Sequence, residues 1–203
     1  MKFVSDTFNQ ISRSLSTTDD TKMTSQIRQN FQDDCINGIN NLINMYMSRS
    51  YSCMAAWQYL TRDDVALRNI ASFFNALGQT KSRKAKQLIR YMNQRGGRVV
   101  LKEITQPDKA EWSSVLEVFE KTLECDKALN KELLILHDIA EKNRDWQFCD
   151  FLEKEFLQGM VKHLEELGWI ITNLRRVGKG VGEFLFDAKY FTCTGEVVTK
   201  PGI

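Results

Sequence analysis

At 203 residues, with a formal net charge of +2 and 42% hydrophobic residues, the chain is long enough for one sizeable core. The near-neutral balance argues against nucleic-acid binding through a generally basic surface, and no apolar run reaches the ~20 residues needed to span a bilayer. Only two prolines interrupt the sequence, so the composition points to a soluble, mostly helical protein.

Residues 1–24, rich in Ser, Thr and Asp, read as a loosely ordered arm. From about Asn30 to Leu60, Ile36, Ile39, Leu42, Ile43 and Met47 recur at helical spacing, and Tyr46, Cys53, Met54 and Trp57 extend the face. A second helix is expected over Thr61–Arg98, opening on the cap-like Thr61-Arg62-Asp63-Asp64 and antiparallel to the first. Its inward stripe of Ile70, Phe73, Phe74 and Leu77 continues by steps of three and four onto Lys81 and Lys84 before returning to Leu88 and Met92. Two lysines thus stand where core residues belong.

Residues 98–104, followed by Pro107, read as an extended crossover that lets the second and third helices run parallel. The third helix is expected from near Lys109, capped by Asp108, through Trp112, Leu116, Phe119, Leu129 and Ile139. A fourth occupies about Gln147–Val177, with Leu152, Phe156, Met160, Leu164, Leu167 and Leu174 inward. Gly178-Lys179-Gly180 breaks the chain before a short fifth helix, Val181–Lys189, and an irregular tail over 192–203. The fold class is therefore all-α: a four-helix bundle over 25–191 with one long crossover and a short fifth helix.

The cysteines Cys35, Cys53, Cys125, Cys149 and Cys193 contain no C-x-x-C pair, which fits a reducing compartment. Met1-Lys2-Phe3-Val4 is too short an apolar start for a signal peptide, so a cytoplasmic protein is expected. His137 and His163 are isolated and read as ordinary structural or surface residues.

Several segments resemble those of animal ferritins in the same order. They are Thr24-Ser25-Gln26-Ile27-Arg28-Gln29-Asn30-Phe31, Arg62-Asp63-Asp64-Val65-Ala66-Leu67, Asn93-Gln94-Arg95-Gly96-Gly97-Arg98, Cys149-Asp150-Phe151-Leu152-Glu153 and Thr172-Asn173-Leu174-Arg175-Arg176. Glu183-Phe184-Leu185-Phe186-Asp187 is similar to the ferritin fifth helix. The resemblance implies an iron-storage subunit of a twenty-four-subunit shell, handling Fe2+ in transit and an Fe3+ mineral, with other ferritin subunits as partners and neither nucleic acid nor membrane.

A catalytic ferritin subunit oxidises ferrous iron at paired metals held by carboxylates and an imidazole. The resemblance puts Tyr46, Lys81, Lys84, Asp126 and Met160 at those positions, and of these only Asp126 is expected still to bind a metal. Lys81 is expected to pair with Asp126, since an unpaired buried ammonium costs several kcal/mol. Tyr46 and Lys81 resemble a light-type subunit without a ferroxidase centre. The cavity face, acidic in the family, instead carries Ala76, Gln79, Thr80, Arg83 and Lys86.

Asp150 and Glu153, with Cys149 lining, match the metal-attracting three-fold channel; their spacing puts the two acids on one helix face. Val181, Leu185 and Lys189 share a face expected at the four-fold axis. The leading expectation is a shell subunit without oxidase activity that co-assembles with catalytic subunits. A ferroxidase with a displaced diiron site, and a ferritin-derived cage whose basic interior binds anions or other cargo, stay open.

Overall fold

Helical spacing of apolar residues sorts the chain into rods that bury one face each. The computed structural model describes residues 25–107, 109 and 111–193; the arm at 1–24, the cap expected at Asp108 and the tail beyond Cys193 lie outside the described residues. The elements are α1 (Asp33–Leu60), α2 (Arg68–Gln94), α3 (Val115–Lys142), α4 (Trp146–Leu152), a π turn (Glu153–Leu157), α5 (Gln158–Val177) and α6 (Val181–Cys193). α4, the π turn and α5 follow without a break and together form the fourth rod.

α1 starts with Asp33 and Asp34 in its first turn, where the helix dipole favours negative charge. Its buried stripe runs through Ile39, Ile43, Tyr46, Arg49, Cys53, Ala56 and Leu60. Met54 and Trp57, expected on this face, lie on the exposed side, because Cys53 and Ala56 take the inward positions.

The second helix begins later than its cap-like opening suggests. Arg62 spends the acid of Asp64 in a forked pair at 2.9 and 2.5 Å and reaches Glu111 at 2.6 Å, so the segment folds as turns. Ala66 then turns left-handed (φ 53°) before α2 starts at Arg68.

The crossover climbs along α1. Asn40 Nδ2 donates to the Arg98 carbonyl at 3.2 Å, Asn44 Nδ2 to Glu103 at 2.9 Å, and the Tyr59 hydroxyl to Trp112 at 2.8 Å. These contacts carry the chain from near the start of α1 to its end, where α2 begins, so α2 and α3 run parallel. α3 opens at Val115, not near Lys109. Ser114 Oγ accepts from Glu117 N at 3.2 Å, and Glu117 reaches back to Ser113 N, one residue before the cap, at 2.7 Å, a variant of the capping box.

Asp145 caps α4 by accepting from Phe148 N at 3.1 Å, and the Arg95 fork holds the same carboxylate at 3.1 and 2.8 Å. α6, longer than expected, packs Phe186 and Phe191 against the bundle and leaves Val181, Leu185 and Lys189 exposed on one face. Gly178 makes the left-handed exit from α5 (φ 69°), and at Gly182 a Cβ would come within 2.1 Å of the Val177 carbonyl oxygen.

Leu67, at the cap position of α2, makes no side-chain cap bond. The missing acceptor comes from α6: Asp187 Oδ1 accepts from Ile70 N at 2.8 Å, and Oδ2 accepts from Asn69 Nδ2 at 3.1 Å. Asp187→Ala is expected to cost about 1–2 kcal/mol, and Asp187→Asn less, as read from urea unfolding of the purified protein.

Candidate functional site

Buried apolar residues form two clusters, one around Ile39, Leu88, Leu133 and Phe156, the other around Phe74, Phe119, Leu167 and Ile170. Between them lies a polar layer to which four rods contribute. Arg49 sits between Tyr46 and Cys53 on α1, Lys81 between Phe74 and Ala85 on α2, Asp126 between Phe119 and Leu129 on α3, and His163 between Met160 and Leu167 on α5.

Asp126 is the centre and is 0% exposed. Its Oδ1 accepts from Arg49 Nε at 3.1 Å; its Oδ2 takes Lys81 Nζ at 3.1 Å and His163 Nε2 at 2.7 Å. An ionised carboxylate only accepts, so His163 Nε2 carries the proton. Burial alone would push the Asp126 carboxyl up, but the Lys81 charge, the His163 hydrogen bond and the Arg49 charge override it and hold the group well below the usual carboxylate range. Arg49 Nη2 is buried without a partner among the described residues.

Lys81 therefore pairs with Asp126 as the sequence predicts. Tyr46 packs its ring 5.7 Å from Phe156, and burial first, then the Asp126 charge, push its phenol far up, which keeps it neutral. Met160 is buried in the apolar cluster beside it. Lys84 does not join the layer: Ala85 takes the inward position, and Lys84 Nζ donates to the Glu155 carbonyl in the π turn, 5.0 Å from the Phe156 ring centroid. Burial pulls the Lys84 ammonium below its ordinary value; Glu155 opposes this, while Arg83 and Lys81 add to it.

As a metal site this layer offers a carboxylate with both oxygens engaged, an imidazole whose Nε2 is committed to that carboxylate, a neutral phenol and a soft thioether beside two cations. Hard divalent ions favour free oxygen ligands and are repelled by such charge. Arg49 is absent from the residues singled out by sequence, and His163, read there as an ordinary structural or surface residue, is a buried partner of Asp126; each continues an inward stripe.

Asp150 and Glu153 are exposed and do not pair with each other. Asp150 Oδ1 lies 2.8 Å from Lys154 Nζ, and Glu153 Oε1 lies 2.7 Å from His137 Nε2. Cys149 is buried. His137, read from sequence as unremarkable, also has a ligand nitrogen within 4.8 Å of carboxylate oxygens of Asp138 and Glu141, a grouping able to take a divalent cation.

Removing the central carboxylate would strand Arg49 and Lys81 in the core. Asp126→Ala is expected to cost about 3–5 kcal/mol, roughly 10 °C in melting temperature. A carboxyl held below its unfolded value contributes stability above that value and loses it as pH falls through the folded one. The stability gap between wild type and Asp126→Asn should therefore shrink as pH drops below about 4, as followed by unfolding at a series of pH values.

The Ferritin-like domain family model matches residues 36–177. "Ferritin, middle subunit" from Aquarana catesbeiana is 41% identical over 168 residues, 81% of this chain and 96% of that protein. "Soma ferritin" from Lymnaea stagnalis is 44% identical over 163 residues, 80% and 94% respectively. "Ferritin light chain" from Oryctolagus cuniculus is 39% identical over 168 residues, 81% and 96%. With a bundle of this topology and matches spanning most of its length, the chain belongs to the ferritin family.

Proposed function

We propose that this chain is an iron-storage subunit of a twenty-four-subunit shell in the cytoplasm, that it lacks a ferroxidase centre of its own, and that it works beside catalytic subunits. The observation that carries the reading is the polar layer: Lys81, Arg49 and His163 fill the level of the bundle where a diiron site would need free oxygens, and Asp126 is spent on them. Tyr46 and Met160 supply no replacement ligand suited to a hard ion. Iron is cargo here, Fe2+ in transit and Fe3+ as mineral.

The chain's metal contacts, in this reading, lie outside the core. Asp150 and Glu153, with buried Cys149 behind them, form one subunit's share of a cation channel on a three-fold axis, where repeated carboxylates draw divalent ions inward. Their partners Lys154 and His137 are exposed or half-buried, so both pairs can open to a passing ion at little cost.

Stopped-flow oxidation of ferrous iron by the purified chain tests the first part. The expected rate matches buffer autoxidation and rises only after co-assembly with a catalytic ferritin subunit. Rapid turnover by the chain alone would sink the reading. In mixed shells, Asp150→Asn combined with Glu153→Gln in this chain should slow iron uptake, and an unchanged rate would remove the channel role.

A further inference from the structure

The charge of α2 is one-sided. The helix carries Arg68, Lys81, Arg83, Lys84, Lys86 and Arg90 and has no Asp or Glu, in a chain whose formal net charge is only +2. Lys81 is spent on Asp126 and Lys84 on the Glu155 carbonyl. Arg83, Lys86 and Arg90 remain exposed, and their spacing of i, i+3 and i+7 aligns them on one face over ~10 Å.

Among the described residues no carboxylate lies within ion-pair distance of these three. Arg83 Nη2 donates to Thr80 Oγ1 at 3.0 Å, one turn back on the same helix, which steadies the guanidinium and leaves its other nitrogens free. Arg83 and Lys86 also stand on the rim of a groove of about 510 Å³ between α1 and α2, with Gln79 and Ser82 supplying further polar groups. Like charges at neighbouring helical positions repel, and no acidic side chain among the described residues relieves them.

We infer that this face of α2 binds phosphate oxyanions, either free inorganic phosphate or phosphate groups at the surface of an iron mineral. A guanidinium fork fits two oxygens of a phosphate, and the adjacent ammonium adds a point charge; bare ferric or ferrous ions are repelled by the same strip. The strip is a property of a single chain and holds whether or not the shell reading does. Only its use at a mineral surface rests on that reading.

Calorimetric titration of inorganic phosphate into the iron-free full-length protein, in chloride buffer, tests it. Saturable binding is expected, weakened at least about tenfold in Arg83→Gln/Lys86→Gln/Arg90→Gln, as loss of charge-assisted bonds implies. A control removing three exposed lysines elsewhere, Lys127→Gln/Lys131→Gln/Lys162→Gln, should retain the affinity. Circular dichroism should show both variants folded. Absence of saturable binding, or equal weakening in the control, overturns the proposal. Mineral formed with phosphate present separates the two sources: a lower phosphorus-to-iron ratio in the α2 variant assigns the strip to the mineral surface, and an equal ratio, with calorimetric binding still weakened in that variant, assigns it to free phosphate.

Discussion

Asp126 has two oxygens and three donors, and each donor arrives on a different helix. A buried carboxylate is tolerated only when hydrogen-bonded and neutralised, so the three partners have to meet at one level of the bundle. If α1, α2 or α5 shifted along its axis by a turn, about 5.4 Å, its polar group would enter an apolar cluster and lose its acceptor. The apolar clusters above and below supply most of the burial, yet hydrophobic contact alone is permissive about sliding. The polar layer sets the axial register that those clusters leave loose.

In the proposed reading, the same layer keeps cation contacts away from the centre of the bundle. With the centre of the bundle closed by Lys81 and Arg49, groups able to meet a cation lie at the periphery: Asp150 and Glu153 on the fourth rod, and His137 with Asp138 and Glu141 on α3. Lys84 links the two regions. By holding the Glu155 carbonyl it ties α2 to the π turn, a few residues from the acids of α4 and the π turn. A widened turn leaves backbone acceptors poorly satisfied, and an ammonium with limited exposure is well suited to take one.

Much of this was legible in the spacing of residues. Lys81 stood out because it interrupts a stripe running from Ile70 to Met92, and its pairing with Asp126 followed from the cost of a buried ammonium. Arg49 and His163 interrupt their own stripes in the same way, between Tyr46 and Cys53 and between Met160 and Leu167, but family positions drew attention to other residues. The start of α2 was not legible, because Thr61-Arg62-Asp63-Asp64 has the composition of a cap and only the distant Glu111 and the left-handed Ala66 turn it into a loop. Lys84 looked inward by a count of three from Lys81; a count of four reaches Ala85, and packing selected the smaller residue. The π turn leaves no mark in composition.

The bond from Ile70 to Asp187 spans 117 positions of the chain. The Ile70 amide therefore depends on a residue far away in sequence and gains this acceptor only when α6 docks. The two ends of that span close the same end of the bundle, so α6 acts as a latch: a chain in which α6 has not docked leaves the first turn of α2 without this acceptor and exposes Phe73 and Phe119 where the Phe191 ring covers them.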